Sequence, residues 1–306
     1  MSCVTRRVRG AGYRFAAHGG SSLALRMTVM RVVCPGETMG HEDGTRQLDC
    51  DVSRIQPLAK EIVRQLAWAW RRHLGSHLVT LVAYGSAVKG GAIEGSSDVD
   101  VAAFVTPELL TSGGELPLDL TLALHHDLAK IDPLPFRYLQ GHVYPDGVRA
   151  GSGFIPGTFQ VVLGSPEVQL ASGEELLKAA ESALGTFDAS AIRDRLSNAL
   201  LDHGEQRLSR QVRILSTNDV WPTMYHIASI HEGDGVKAWQ CTKPEIVSIL
   251  GNDQFIGPPL AAWMKAITHH YSTGESVTSA LHAIEAGCAF LDAVARWTDE
   301  RLQRGA

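Results

Sequence analysis

The run Tyr84-Gly85-Ser86-Ala87-Val88-Lys89-Gly90-Gly91-Ala92-Ile93-Glu94-Gly95-Ser96-Ser97-Asp98-Val99-Asp100-Val101 joins two short apolar segments, Leu78 to Tyr84 and Val99 to Val105. Both read as buried strands. Gly85 and Ser86 fall where the first strand ends. A residue without a side chain lets the backbone approach phosphate oxygens there, and a hydroxyl can donate to them. Asp98 and Asp100 are two apart, and alternate strand residues share a face, so two hard oxygen ligands converge on a spot suited to magnesium. Ser97, with Gly90, Gly91 and Gly95, lets the loop turn back so that cradle and carboxylates face one triphosphate. Asp-x-Asp alone is most often a solvated strand end. Joined to Gly-Ser and flanked by apolar runs, it fits the transfer of a nucleotidyl group, which requires phosphate charge to be neutralised while an acceptor oxygen attacks in line.

Outward from this run, Leu58, Ile62, Leu66, Ala69 and Trp70 recur at helical intervals, with Lys60, Arg64, Arg71 and Arg72 on the other face, and predict an amphipathic helix ending near Gly75. A helix is expected from Leu118 to Ile131, stopped by Pro133 and Pro135, followed by strands over Phe136 to Tyr144 and Phe159 to Leu163. After about Phe187 the spacing is helical: Ile192 to Leu208, Trp221 to Ile230, Pro244 to Leu250, Leu260 to Tyr271 and Val277 to Trp297, with loops at Gly233, Gly235, Gly251 and Gly274. The expected fold is α+β: an α/β domain with a mixed sheet over 51–186, then a C-terminal α-helical bundle over 187–306. Residues 1–50 hold seven arginines against four acids and read as a loosely ordered leader; Met27, Met30 and Met39 within it suggest a start codon set too far upstream.

With 306 residues there is room for two cores. Hydrophobic content of 44%, charged content of 20% and a mean hydropathy of -0.02 describe a packed globular chain. A net charge of -5 and a pI near 6.2 give no basic field, so nucleic acid is not an expected partner. The cysteines at 3, 34, 50, 241 and 288 are odd in number and form no Cys-x-x-Cys, which argues against a zinc knuckle or disulfide framework and for a reducing cytoplasm. No apolar run of about 18–20 residues stands out, so a soluble protein without a membrane partner is expected. The pairs His125-His126 and His269-His270 put adjacent rings on different sides of a helix, a poor arrangement for one metal. The glycines between Gly151 and Gly157 lack the Gly-Lys-Ser/Thr ending of a phosphate loop and read as a turn.

The order apolar-Gly85-Ser86, then Ser97-Asp98-Val99-Asp100, resembles the signature of the polymerase-beta-like nucleotidyltransferases. With Tyr84 to Val88 and Gly90-Gly91 included, it is most similar to aminoglycoside adenylyltransferases of the streptomycin/spectinomycin type. Leu139-Gln140-Gly141-His142-Val143-Tyr144-Pro145 is similar to that family's Leu-Glu-Gly-Ser-Tyr-x-Pro strand, and Thr242-Lys243-Pro244-Glu245 to its Ser/Thr-Lys-x-Glu helix opening. The likeness runs from about residue 57 to 300, and only its first motif is specific. It implies a nucleotidyltransferase domain at 51–186 and an enzyme that uses Mg²⁺ to move AMP from ATP to a hydroxyl of a small, aminoglycoside-like acceptor. In that reading Asp98 and Asp100 hold magnesium, while Gly85, Ser86 and Ser97 belong to the phosphate loop. Lys243 reaches ATP from the helical domain, and the acceptor lies in the cleft. The 15 acids against 11 Lys and Arg over 181–306 are compatible with a cationic acceptor. Thr242-Lys243-Pro244-Glu245 is equally a helix start, with Thr242 as N-cap and Glu245 three residues on.

Gln140 departs from the pattern. The family carries a base glutamate there, and an amide cannot take the acceptor's proton. His142, two residues along the same face, is one alternative base; Asp146 or Glu167 as a third carboxylate is another. A domain that binds nucleotide without turning it over is the remaining reading.

Overall fold

The computed structural model describes residues 50–147, 154–165, 170–204 and 206–305, so the expected leader (save Cys50) and Glu167 lie outside it. Helix α1 (Lys60–Leu74) forms where the amphipathic spacing predicts. It buries Ile62, Val63, Leu66, Ala67, Trp70 and Leu74, and ends at Gly75, whose φ of 54° and N–H bond to the Arg71 carbonyl close the last turn. Strands β1 (Leu78–Tyr84) and β2 (Val99–Val105) are joined by one helical turn, α2 (Ser86–Lys89), and a glycine-rich loop. Helix α3 (Leu118–Leu128) carries the chain from β2 to β3 (Leu139–Pro145), as a parallel pair requires, and β4 (Phe159–Leu163) completes the sheet. The strand order is β3-β2-β1-β4, with β1 antiparallel to β2 and β4, and β2 parallel to β3. This is the expected mixed sheet.

One face of the sheet, bearing Leu81, Ala83, Val99, Val101, Ala103 and Val105, shares a core with α1 and α3. Gly141 lets α1 come this close, because a Cβ there would sit 2.7 Å from the Trp70 ring. The other face holds Val82, Ala102, Phe104 and Val161, with Tyr84, Tyr144, Phe154 and Phe159 around them.

The rest of the described chain is helical: α4 (Gly173–Gly185), α5 (Ala189–Leu200), α6 (Arg207–Ile214), a wider π turn at Leu215–Val220, α7 (Trp221–Glu232), α8 (Gly235–Gln240), α9 (Lys243–Leu250), α10 (Gly257–Ser272) and α11 (Val277–Gly305). Their core centres on Leu215, Met224, Ile227, Leu260, Trp263 and Phe290. The β1–β2 loop is stitched into it: Ile93 joins the helical core, a Cβ on Gly91 would lie 2.5 Å from Thr242 Cβ, and Gly95 lies against Tyr271.

Several expectations shift. The segment Ile192 to Leu208, expected as one helix, breaks into α5 and α6 around Asp202-His203-Gly204. Helix α3 ends at Leu128, not Ile131, because its last turns tighten: the N–H groups of Lys130 and Ile131 bond to the carbonyls of Asp127 and Leu128. The third strand starts at Leu139, since Phe136 is spent in a turn closed by its N–H bond to Pro133. Gly235 opens α8 where a loop was expected. Helix α4, before residue 187, packs on α7 and α8, and its Leu184 belongs to the helical core.

Within α11, Val277–Arg301 is long and apolar enough to cross a membrane, contrary to the expectation that no such segment exists. More than half of its apolar window is buried inside the protein, where Ala283, Phe290, Leu291 and Val294 pack in the core. It behaves as a core helix.

Candidate active site

Gly85, Ser86, Asp98 and Asp100 are brought together where β1 ends and β2 begins. Tyr84 pairs with Asp100 across β1 and β2, so Gly85 follows directly beside Asp100. Gly85 has φ of 71°, and a Cβ on it would stand 2.9 Å from Asp100 Oδ2. The position therefore requires glycine twice, for its backbone and for the approach. We predict that Gly85→Ala lowers stability by about 1–3 kcal/mol, the usual cost of a strained backbone site; the shift of the denaturant midpoint measures it, and an unchanged midpoint contradicts it. Ser86 Oγ donates to the Asp98 carbonyl at 3.4 Å and ties the two halves of the motif. Ser97 is buried. Its hydroxyl accepts from the Ile93 N–H at 2.9 Å, so it holds the loop's return.

Asp98 and Asp100 lie within hydrogen-bonding contact. Burial, then the neighbouring Asp98 charge, push the Asp100 carboxyl well above the usual carboxylate range, while Lys243 pulls the other way. Burial holds the Lys243 ammonium below its ordinary value, against the attraction of both carboxylates. Its Nζ also lies 5.3 Å from the Trp221 ring centre. Thr242 and Glu245 form the expected reciprocal capping box on α9, and the ammonium of the lysine between them lies near both carboxylates. Two carboxylates crowded enough to favour a shared proton, with one lysine beside them, suit a divalent cation in that proton's place. The donor set fits magnesium on that ground. Among the described residues no group of three or more His, Cys, Asp and Glu side chains forms a metal cluster.

Lys89, at the end of α2, was not marked by any motif. Its ammonium donates to Tyr225 Oη at 2.8 Å and to the carbonyls of Trp239 at 2.8 Å and Cys241 at 3.0 Å, and lies 4.2 Å from the Tyr225 ring centre. The start of the β1–β2 loop is thus tied to the helical region by this side chain as well. Burial, with Lys243 nearby, brings its pKa down to about 7 despite those acceptors. The unfolded chain keeps this proton up to about 10.5, so the folded state binds fewer protons between 7 and 10.5 and is favoured as pH rises through that window. As pH falls from 10.5 to 7, that contribution is lost. The expected result is a melting temperature for wild type that rises from pH 7 to 10 relative to Lys89→Met; parallel curves contradict it.

Gln140 lies beside Asp100 in the β2–β3 register, and His142 beside Ala102. A chain of polar groups runs through them. Arg213 Nη1 donates to Tyr138 Oη at 2.9 Å, Tyr138 Oη donates to Gln140 Oε1 at 2.9 Å, and the amide nitrogen is left to donate to His142 Nε2 at 2.9 Å. That polarity puts the imidazole proton on Nδ1 and the Nε2 lone pair toward Gln140. Tyr138 also reaches Asp98, and burial and that charge hold its hydroxyl protonated. His142 is kept below its usual pKa by burial, with Asp98 opposing. Tyr138, Arg213 and Lys89 are the site residues that sequence reasoning missed.

Asp146 is exposed in the turn after β3, roughly 20 Å along the strand from Gln140, so it cannot serve as the third carboxylate. His270 is buried with its ring nitrogens facing Ser279 and Ser209. The concave surface at Gly173, Glu174, Leu177, Gly233, Asp234 and Val236 lies in the helical region, away from the carboxylates; Glu174 pairs with Lys178, and Asp234 caps α8.

Neither a scan against protein-family models nor a search of curated proteins finds a match for this chain.

Proposed function

We propose that this protein is a nucleotidyltransferase that moves AMP from ATP to a hydroxyl of a small acceptor, working in the cytoplasm. The observation that carries the reading is the meeting of Gly85 with Asp100 and of Asp98 and Asp100 with Lys243, which gathers a phosphate-approaching backbone, a carboxylate pair and a cation in one place. Asp98 and Asp100 would hold Mg²⁺, which when bound supplies charge neutralisation on the triphosphate. Gly85 gives the phosphates room against the backbone, and Lys243 brings a positive charge from the helical region. The acceptor hydroxyl oxygen forms a bond to the α-phosphorus, the bond to the bridging oxygen breaks, and pyrophosphate leaves. Gln140 cannot take the hydroxyl proton, so His142 Nε2 takes it once the acceptor displaces the Gln140 amide. The resemblance offers an aminoglycoside-like acceptor. Pyrophosphate release that requires both Mg²⁺ and an acceptor tests the proposal.

Gln140 favours a second reading. Its amide oxygen is taken by Tyr138 and its nitrogen by His142, an arrangement that also suits a protein that binds nucleotide with little or no turnover. Mg²⁺-dependent ATP binding without pyrophosphate release would mark that case.

A further inference from the structure

The sheet face that carries Asp100 continues away from it as a row of rings. Alternate residues of β3 place Gln140, His142 and Tyr144 in line, beside Asp100, Ala102 and Phe104 of β2. The His142 and Tyr144 rings are near parallel with centres 6.4 Å apart; Tyr144 and Phe104 lie 5.6 Å apart at 30°, and Phe154 meets Phe104 edge-on at 6.1 Å. Phe104 is buried, which fixes the row from below, while His142 and Tyr144 on the edge strand are only partly buried.

The charges beside this row do not suit a polyamine. At its near end stand Arg213 and Lys243, and the acids there, Asp98 and Asp100, face Lys243. Glu275 is paired with Arg137 and Asp219 with Arg195. Gln140 presents an amide where a carboxylate would have attracted an ammonium group, and Asp146 lies beyond the far end, past Pro145.

We propose that the acceptor is an uncharged, hydroxyl-bearing ring compound of the glycoside type, whose apolar ring face lies on His142 and Tyr144 and whose hydroxyl points to the Gln140 end. This rests on the nucleotidyl-transfer reading and replaces the cationic acceptor of the family resemblance. Ring stacking gives the subsite its affinity, and the β2 residues paired with His142 and Tyr144 are Ala102 and Phe104, with no carboxylate between them, which disfavours ammonium-rich acceptors.

The test uses the full chain, with 4-nitrophenyl β-D-glucoside and streptomycin as probes. Binding is read by saturation-transfer NMR without nucleotide, and transfer by the mass gain of an adenylyl group with Mg²⁺ and ATP. The expected result is contact and transfer with the glucoside, binding roughly three- to tenfold weaker in Tyr144→Ala and retained in Tyr144→Phe. Tighter binding of streptomycin, or no contact with the glucoside, overturns the proposal. Transfer to streptomycin alone would leave the nucleotidyl reading standing and remove this one. Glucoside contact that depends on Tyr144, without pyrophosphate release under any condition, would remove the nucleotidyl reading and the acceptor role with it, leaving only a glycoside-binding face.

Discussion

Asp98→Asn is expected to cut Mg²⁺-dependent transfer by at least about 10²–10³-fold, the scale on which losing one charge-stabilising contact in a transition state is felt. The replacement keeps the size of the side chain and removes one of two hard ligands, so a cation is no longer held against the triphosphate. It should not unfold the protein. Asp100 is burdened in the folded state by burial and by the Asp98 charge, and an amide at 98 removes the second of these. The variant should therefore melt at or above the wild-type temperature while losing activity, as expected where a site is built at the expense of stability. Wild-type activity in this variant would exclude Asp98 as a metal ligand.

Gln140→Glu is expected to act in the opposite sense. General base catalysis contributes about 10²–10⁴-fold, and a carboxylate at 140 would restore an acceptor for the hydroxyl proton beside Asp100. Tyr138 already donates to this side chain, and Arg213, which donates to Tyr138 at 2.9 Å, can offset the new charge. A rise in kcat with little change in ATP affinity is the expected outcome. An unchanged kcat would show that no proton is taken at position 140, and a lower one that the Gln140 amide is needed to orient His142.

What could be read from the sequence follows from local periodicity. Asp98 and Asp100 were expected two apart on one strand, but β2 begins at Val99, so Asp98 precedes it and meets Asp100 from the loop; Gly85-Ser86 sits at a strand end because an apolar β-branched run stops there. The strands and the run of helices followed from the same spacing, whereas the pairing that makes the sheet mixed is a property of the fold. Three helices escaped: α2 is a single turn inside the loop, while α4 and α8 had signals that were present, since Ser172 with Glu175 is a capping box before α4, and Asp234 caps α8. Asp202-His203-Gly204 marks the break between α5 and α6.

The polar partners were not legible. Lys89 bonds to Tyr225, 136 positions away, and Arg213 to Tyr138, 75 positions away, and no local pattern encodes such pairings. Lys243 was legible twice over, as a capping-box residue and as a cation. Only the fold shows that Thr242 and Glu245 carry the cap while the lysine between them turns to Asp98 and Asp100.

The central claim is that Asp98 and Asp100 form a metal-dependent transfer site, and pyrophosphate release from ATP is the measurement that reaches it most directly. The wild-type chain, assayed with an acceptor panel of uncharged glycosides and aminoglycosides, is predicted to release pyrophosphate only when Mg²⁺ and an acceptor are both present, and Asp98→Asn to release none. Release that persists in Asp98→Asn, or that is indifferent to Mg²⁺, would contradict the account.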